Sequence, residues 1–175
     1  MDTLFHVSED GTIKRFVPRP PPSPDAGVTE DVVWAVDAAH LVNYLLPRDC
    51  PRVTFYALPE SDEADVAALL GPGTSHPVVA IEDVWLERAA QTALWLYTFA
   101  PEPFTVVDPG AGYYVSRQTV VPQTKRKVER PLAELVARGA ELRVLPSLWP
   151  LRDRVVSSSL QFSCIRMRHA KPRPD

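Results

Sequence analysis

A chain of 175 residues with 45% hydrophobic and 23% charged side chains suits one ordinary globular domain, able to bury roughly 70% of its unfolded surface. Its formal net charge of −3 excludes a global attraction to nucleic acid or to an anionic membrane. No apolar run reaches the length of a membrane span, and Asp2, His6, Glu9 and Asp10 interrupt the N-terminus where a signal peptide needs apolar residues, so a cytoplasmic location is expected.

Residues 4–8 (LFHVS) predict a first strand, with Leu4, His6 and Ser8 on one face and Phe5 and Val7 on the other. Glu9-Asp10-Gly11 is a turn signal, and residues 13–17 suit a short strand or a turn. The chain has 19 prolines, many of them between predicted elements, which argues for rigid connections. Residues 18–24 (PRPPPSP) predict extended polyproline II, as a surface loop or a docking strap.

The stretch from Asp31 to Tyr56 organises the chain. Val32, Val33 and Trp34 form a β-prone run. Asp37 stands at an N-cap position, and Ala38, Leu41, Val42 and Leu45 follow at helical spacing. His40 and Tyr44, four apart, lie beside that stripe, and Pro47 stops the helix. Arg48, Asp49, Cys50, Pro51 and Arg52 make a turn before a strand in which Val53, Phe55 and Ala57 alternate with Arg52, Thr54 and Tyr56. Strand, helix and return strand predict one compact unit with its own apolar seam.

Ser61 is placed to cap a helix over residues 62–70, ended by Gly71-Pro72-Gly73. Residues 77–81 predict a short strand. Residues 82–97 carry the strongest helical pattern: Trp85, Leu86, Ala89, Ala90, Ala93, Leu94 and Tyr97 share one broad face, with Trp95 off its centre. Pro101 and Pro103 break it. Strands follow at 104–107 and 111–116, separated by the turn Asp108-Pro109-Gly110, and 119–121 extends the second. Residues 124–130 are charged and expected to be exposed. Pro131 suits the first position of a helix over 131–138, and Gly139 its end. Residues 141–145 predict a strand, Ser147 caps a helical piece to Val155, and 160–168 form a last strand with Phe162, Cys164, Arg166 and Arg168 on one face. Residues 171–175 read as a loose tail. The mixture predicts a single α+β domain over residues 1–170, with a mixed, mainly antiparallel sheet and three to four flanking helices.

No phosphate loop, dinucleotide fingerprint, nucleophile elbow or zinc spacing is present. Cys50 and Cys164 fit no metal or redox spacing; two reduced thiols are the expectation, a disulfide the alternative. His6, His40, His76 and His169 are scattered, so no metal is expected. Only four of the 19 basic residues are lysine, and arginine forks bind carboxylate and phosphate. What remains is an aromatic and basic set: His6, Trp34, His40, Tyr44, Arg48, Arg52, Tyr113, Tyr114, Arg166 and Arg168. Aromatic walls with guanidinium groups can hold a planar ring joined to phosphate. Packing explains the same residues one at a time, with Trp34 and Tyr44 in the core and the arginines paired to Asp31, Asp37, Asp49 or Glu60.

The segments LFHVS, VVWAVDAAHLVNYLLPRDCPRV, AGYYVS and FSCIRMRHA together resemble an uncharacterised family of bacterial proteins of unknown function, over nearly the whole chain. The order of His6 in a first strand, then VVWAVDAAHLVNY, RVTFYAL and GYYVS, is also similar to the ADP-ribosyltransferase-like fold of NAD-dependent ADP-ribosyltransferases and RNA 2′-phosphotransferases. That resemblance implies that His6 holds the ribose of NAD and that Tyr44 lines the nicotinamide side. The family's catalytic glutamate falls where this chain has Gly112 or Ala111, so ordinary transferase activity is not implied. The functional expectation is a small-molecule or nucleotide binding module, with NAD as candidate cofactor and a His/Tyr/Arg pocket between the first strand and the organising helix. One alternative is a transferase acting on NAD or on RNA ends. Another is a protein-interaction module using Trp95, Trp149 and the proline strap.

Overall fold

The computed structural model describes residues 3–21, 27–71 and 76–173. In chain order it contains β1 (Leu4–Ser8), β2 (Val33–Val36), β3 (Arg52–Tyr56), α1 (Glu63–Leu69), β4 (Val78–Glu82), α2 (Leu86–Gln91) and β5 (Leu94–Phe99). There follow β6 (Thr105–Asp108), β7 (Tyr113–Ser116), β8 (Thr124–Val128), α3 (Pro131–Ala137), β9 (Glu141–Leu145), α4 (Trp149–Val156) and β10 (Gln161–Ile165). The chain is therefore α+β, with four α-helices among the described residues and strands divided between a six-stranded and a four-stranded sheet. No helix of the described residues is long and apolar enough to cross a membrane. The chain packs as two compact units, each assembled from two separate stretches.

The first unit comprises Met1–Tyr44 and Ala93–Glu129. Its sheet has the order β6-β7-β2-β1-β5-β8, antiparallel throughout. Alternation sends Leu4, Val33, Ala35, Tyr97 and Phe99 to one face, where they bury against Phe16, Phe104 and Val120. Phe16 pairs with Val120 in an isolated bridge, and its ring meets Tyr97 and Phe99 edge-on at 5.1 and 5.0 Å. Burial of each such side chain contributes about 1.5–3 kcal/mol.

Two expected helices do not form as expected where the chain passes from one unit to the other. The helix expected over residues 82–97 does not form. Glu82 ends β4, a 3₁₀ turn and α2 use residues 83–91, and residues 94–99 are a strand lying between β1 and β8. Leu94 and Leu96 are buried on one face and Tyr97 and Phe99 on the other, so a strand buries all four where a helix exposes part of them. The pairing of β5 with β8 also gives the charged stretch at 124–128 a strand role. The helix expected from Asp37 contracts to a 3₁₀ turn, Leu41–Tyr44. Leu41, Val42, Leu45 and Leu46 are all buried, so packing on several sides replaces the single stripe of an amphipathic helix.

The second unit comprises Leu45–Thr92 and Arg130–Asp175. Its sheet has the order β10-β3-β4-β9, with only the β4–β9 pair parallel. Val53, Phe55, Val78 and Ala80 supply the sheet side of its core, met by Leu69 and Leu70 at the end of α1, Leu148 and Val155 of the α4 region, and Leu160. The caps follow sequence chemistry. Asp62, one residue later than expected, accepts from Ala64 N at 2.8 Å, Pro131 opens α3, and Gly139 ends it at φ 84. β2 and β3 lie in different sheets, so the expected strand–helix–strand unit at residues 31–56 does not exist. The last strand stops at Ile165, because Arg166 takes a left-handed φ of 57 and a 3₁₀ turn, Met167–His169, follows. Arg166 and Arg168 thus do not continue the strand face of Phe162 and Cys164. Residues 22–24 of the proline run, 72–73 of the Gly-Pro-Gly stop and 174–175 of the tail lie outside the described residues.

Candidate functional site

Within the first unit, β2 and β7 run side by side with Trp34 opposite Val115 and Val36 opposite Tyr113. Tyr113 therefore shares a sheet face with Trp34, and their rings meet edge-to-face at 5.7 Å and 82°. The chain leaves β2 through Asp37, whose Oδ1 accepts from the backbone N–H of His40 at 2.9 Å and meets His40 Nδ1 at 2.8 Å. One carboxylate thus both caps the turn and orients the imidazole. The 3₁₀ turn that follows delivers Tyr44, whose hydroxyl donates to that of Tyr113 at 2.6 Å. Trp34, Asp37, His40, Tyr44 and Tyr113 are all half-buried, so the cluster is neither closed core nor open surface. The indole N–H of Trp34 is buried and meets no hydrogen-bond partner among the described residues.

The turn before β7 closes the cluster from the other side. Ala111 N donates to Asp108 Oδ1, Gly112 N to Pro109 O, and Asp37 N to Gly112 O. Gly112 has φ 66, and a Cβ there would sit 2.2 Å from His40 Nδ1 and 2.7 Å from Asp37 Oδ2. Only glycine fits. This is one of the two positions at which the ADP-ribosyltransferase-like pattern would carry its glutamate, and the Asp37–His40 pair occupies the space a side chain needs.

His6 does not join the cluster. Phe5 pairs with Val36, so Phe5 shares the face of Trp34 and Tyr113, whereas His6 lies on the face of Leu4, Tyr97 and Ala35. There its ring packs on Phe16 at 4.8 Å, and Nδ1 lies 2.9 Å from the carbonyl oxygen of Trp34. β1 and β2 pair at a single position, and this ring contact ties them where their ladder opens. Tyr114 is turned to that same face, partly buried against the phenylalanine core.

The four arginines of the expected pocket belong to the second unit. Arg52 is buried and donates from Nη1 to the carbonyls of Cys50 and Pro47 at 2.8 and 3.2 Å, holding the turn before β3. Arg48 is exposed; Arg168, also exposed, donates to His169 Nε2 at 3.2 Å. Arg166 serves the left-handed bend after β10. Cys50 and Cys164 are free thiols, and burial pushes the Cys50 thiol up to about 11 and raises that of Cys164. The tryptophans of the interaction reading are occupied by the chain itself. Lys125 lies over the Trp95 ring, and Arg173 lies over Trp149, whose Nε1 donates to Lys171 O at 2.7 Å.

Sequence reasoning also missed Glu82, which lies fully buried at the end of β4. Its Oε1 accepts from Leu148 N at 3.1 Å, at the start of α4, and its Oε2 from Lys171 N at 2.9 Å. Lys171, read as the start of a loose tail, is further held by Asp83 and by Pro146 O.

No curated protein and no solved structure matches the chain. The expected likeness to the ADP-ribosyltransferase-like fold draws no support from these comparisons, and the strand–helix–strand order it relied on is not formed. One family model does match, over residues 5–170, and its description is a family of unknown function, DUF6886. That span runs from the second residue of β1 past the end of β10, and the chain belongs to this family.

Proposed function

We propose that the chain is a small-molecule-binding module whose site is the cluster of Trp34, Asp37, His40, Tyr44 and Tyr113. One observation carries the reading: two phenols from segments 69 residues apart meet hydroxyl to hydroxyl at 2.6 Å, beside an imidazole aligned by a carboxylate. Packing alone asks for phenylalanine at such positions. Hydroxyls and an imidazole on aromatic walls add directional donors and acceptors, which suits a planar polar ring such as a nucleobase or nicotinamide. Nucleotides, NAD and ADP-ribose are the ligands to test first. His6 and the arginines are not needed by this reading, so a nucleoside or free base is as good a candidate as a phosphorylated one. The transferase and protein-interaction alternatives draw no comparable support, given the crowded Gly112 and the covered Trp95 and Trp149.

The test is a thermal-shift screen with NAD, ADP-ribose, adenosine and nicotinamide. At least one is expected to raise the melting temperature, and the rise is expected to vanish in Tyr44→Phe and Tyr113→Phe while persisting in His6→Ala. A protein unmoved by all four, or a shift that survives both tyrosine substitutions, overturns the proposal.

A further inference from the structure

The geometry points to a second, independent binding site in the other unit, a cleft that takes a small organic carboxylate with an apolar body. The cleft, open to solvent on one side, has a volume of about 300 Å³, near the lower end of the range for ligand sites. Its walls come from the end of β9, the following loop and the first turns of α4. Leu145, Pro146, Pro150 and Leu151 make it apolar, and Arg143 and Arg154 also contribute to its lining. No acidic residue lines it.

Neither guanidinium is a loose surface charge. Arg143 donates from Nη1 to Leu69 O at 2.6 Å and from Nη2 to Leu70 O at 3.4 Å, with Nε on Glu141 at 2.6 Å. Arg154 donates from Nη2 to Ala68 O at 3.1 Å. The carbonyls left unpaired at the C-terminal end of α1 therefore anchor both side chains. Anchoring removes much of the side-chain entropy that weakens an ordinary surface arginine as a binding group. Arg143 has a carboxylate partner in Glu141, whereas the Arg154 hydrogen bond goes to a neutral carbonyl, which leaves its charge unbalanced by an acid.

These features select the ligand class. An apolar lining rejects a fully hydrated ion such as phosphate, which would have to give up water to hydrocarbon. A carboxylate at Arg154 with its hydrocarbon over Leu145, Pro150 and Leu151 satisfies both halves of the cleft. The plain structural role of the two arginines, capping α1, predicts no ligand at all, which makes the two accounts separable.

The experiment titrates the full chain with hexanoate, hexanamide and acetate, followed by amide NMR shifts. Hexanoate is expected to bind and to move resonances of residues 145, 147, 148 and 151. Hexanamide, which lacks the charge, and acetate, which lacks the body, are expected to bind roughly tenfold or more weakly. Arg154→Gln, at an exposed position, is expected to leave the fold intact and to weaken hexanoate by at least about tenfold, with Arg154→Lys between the two. Absence of hexanoate binding, equal binding of the three probes, or hexanoate binding unchanged in Arg154→Gln overturns the inference. None of these outcomes touches the Tyr44–Tyr113 site, which Tyr113→Phe tests separately.

Discussion

At the scale of single residues, two side-chain environments make quantitative demands. Gly112 combines a φ of 66 with a Cβ position already filled by His40 and Asp37, whereas Gly139 has a φ of 84 with nothing within 4 Å of its Cβ position. Alanine at residue 139 should cost about 1 kcal/mol, the left-handed backbone penalty alone. Alanine at residue 112 adds a clash that the Asp37–His40 pair must move to relieve, for a total of about 2–4 kcal/mol. Urea denaturation of the two variants checks the difference, and equal losses would mean that the pair is not fixed. Cys50 makes a demand of another kind. Its thiol is raised by burial from the ordinary 9.0 to about 11, so between those values the unfolded chain gives up a proton that the folded chain keeps. Its contribution is fully present below pH 9 and lost as pH rises toward 11, amounting to roughly 2–3 kcal/mol. Stability of the Cys50→Ala variant should fall less over that window; parallel pH profiles would contradict this assignment.

At the scale of elements, the readable parts of the sequence were those with local punctuation. Ser61, one residue before the actual cap Asp62, with Pro131, Gly139 and Ser147, marks the ends of α1, α3 and α4, and those three helices lie near where the residues place them. Residues 82–97 misled because Leu94 and Tyr97 stand at helical spacing from Ala90 and Ala93, while the bonds that make 94–99 a strand come from β1 and β8, far away in sequence. The candidate site was legible in part. Trp34, His40, Tyr44 and Tyr113 come together, but which face His6 takes depends on the register of β1 with β5, and no local pattern fixes that. Glu82 was illegible for the same reason, since its partners are backbone groups 66 and 89 residues on. Its two carboxylate oxygens meet two N–H groups in a fully buried site. Glu82→Gln turns one of those oxygens into a donor facing a donor, at a cost of about 1–3 kcal/mol, and Glu82→Ala orphans both N–H groups at about 2–5 kcal/mol. Hydrogen exchange at Leu148 and Lys171 should quicken together in either variant. A change at one alone would show that the carboxylate does not join the two segments.

At the scale of the whole molecule, the order of the chain and the order of its packing disagree. The first unit takes residues from both ends of the interval in which the second begins, and the second resumes at Arg130. A cut after Thr92 therefore divides both units rather than separating them. Residues 1–92 keep β1 and β2, whose ladder has one registered pair, Phe5 with Val36, but lose β5 and β7, the strands that flank them. The same fragment keeps β3, β4 and α1 while losing β9, β10 and α4, and with them Leu148, Val155 and Leu160 from the core of the second unit. Two strands paired at one position and a two-stranded remnant with half a core cannot offset the entropy of ordering them. Residues 93–175 are no better placed, because β5 and β8 lack β1, while β9 and β10 lack β4 and β3 between them. Each fragment alone should give a collapsed amide spectrum and weak far-ultraviolet ellipticity, and an equimolar mixture should recover dispersion, because every missing strand is then supplied. Either fragment folding alone would show that one unit is continuous in sequence, contrary to the strand order found here.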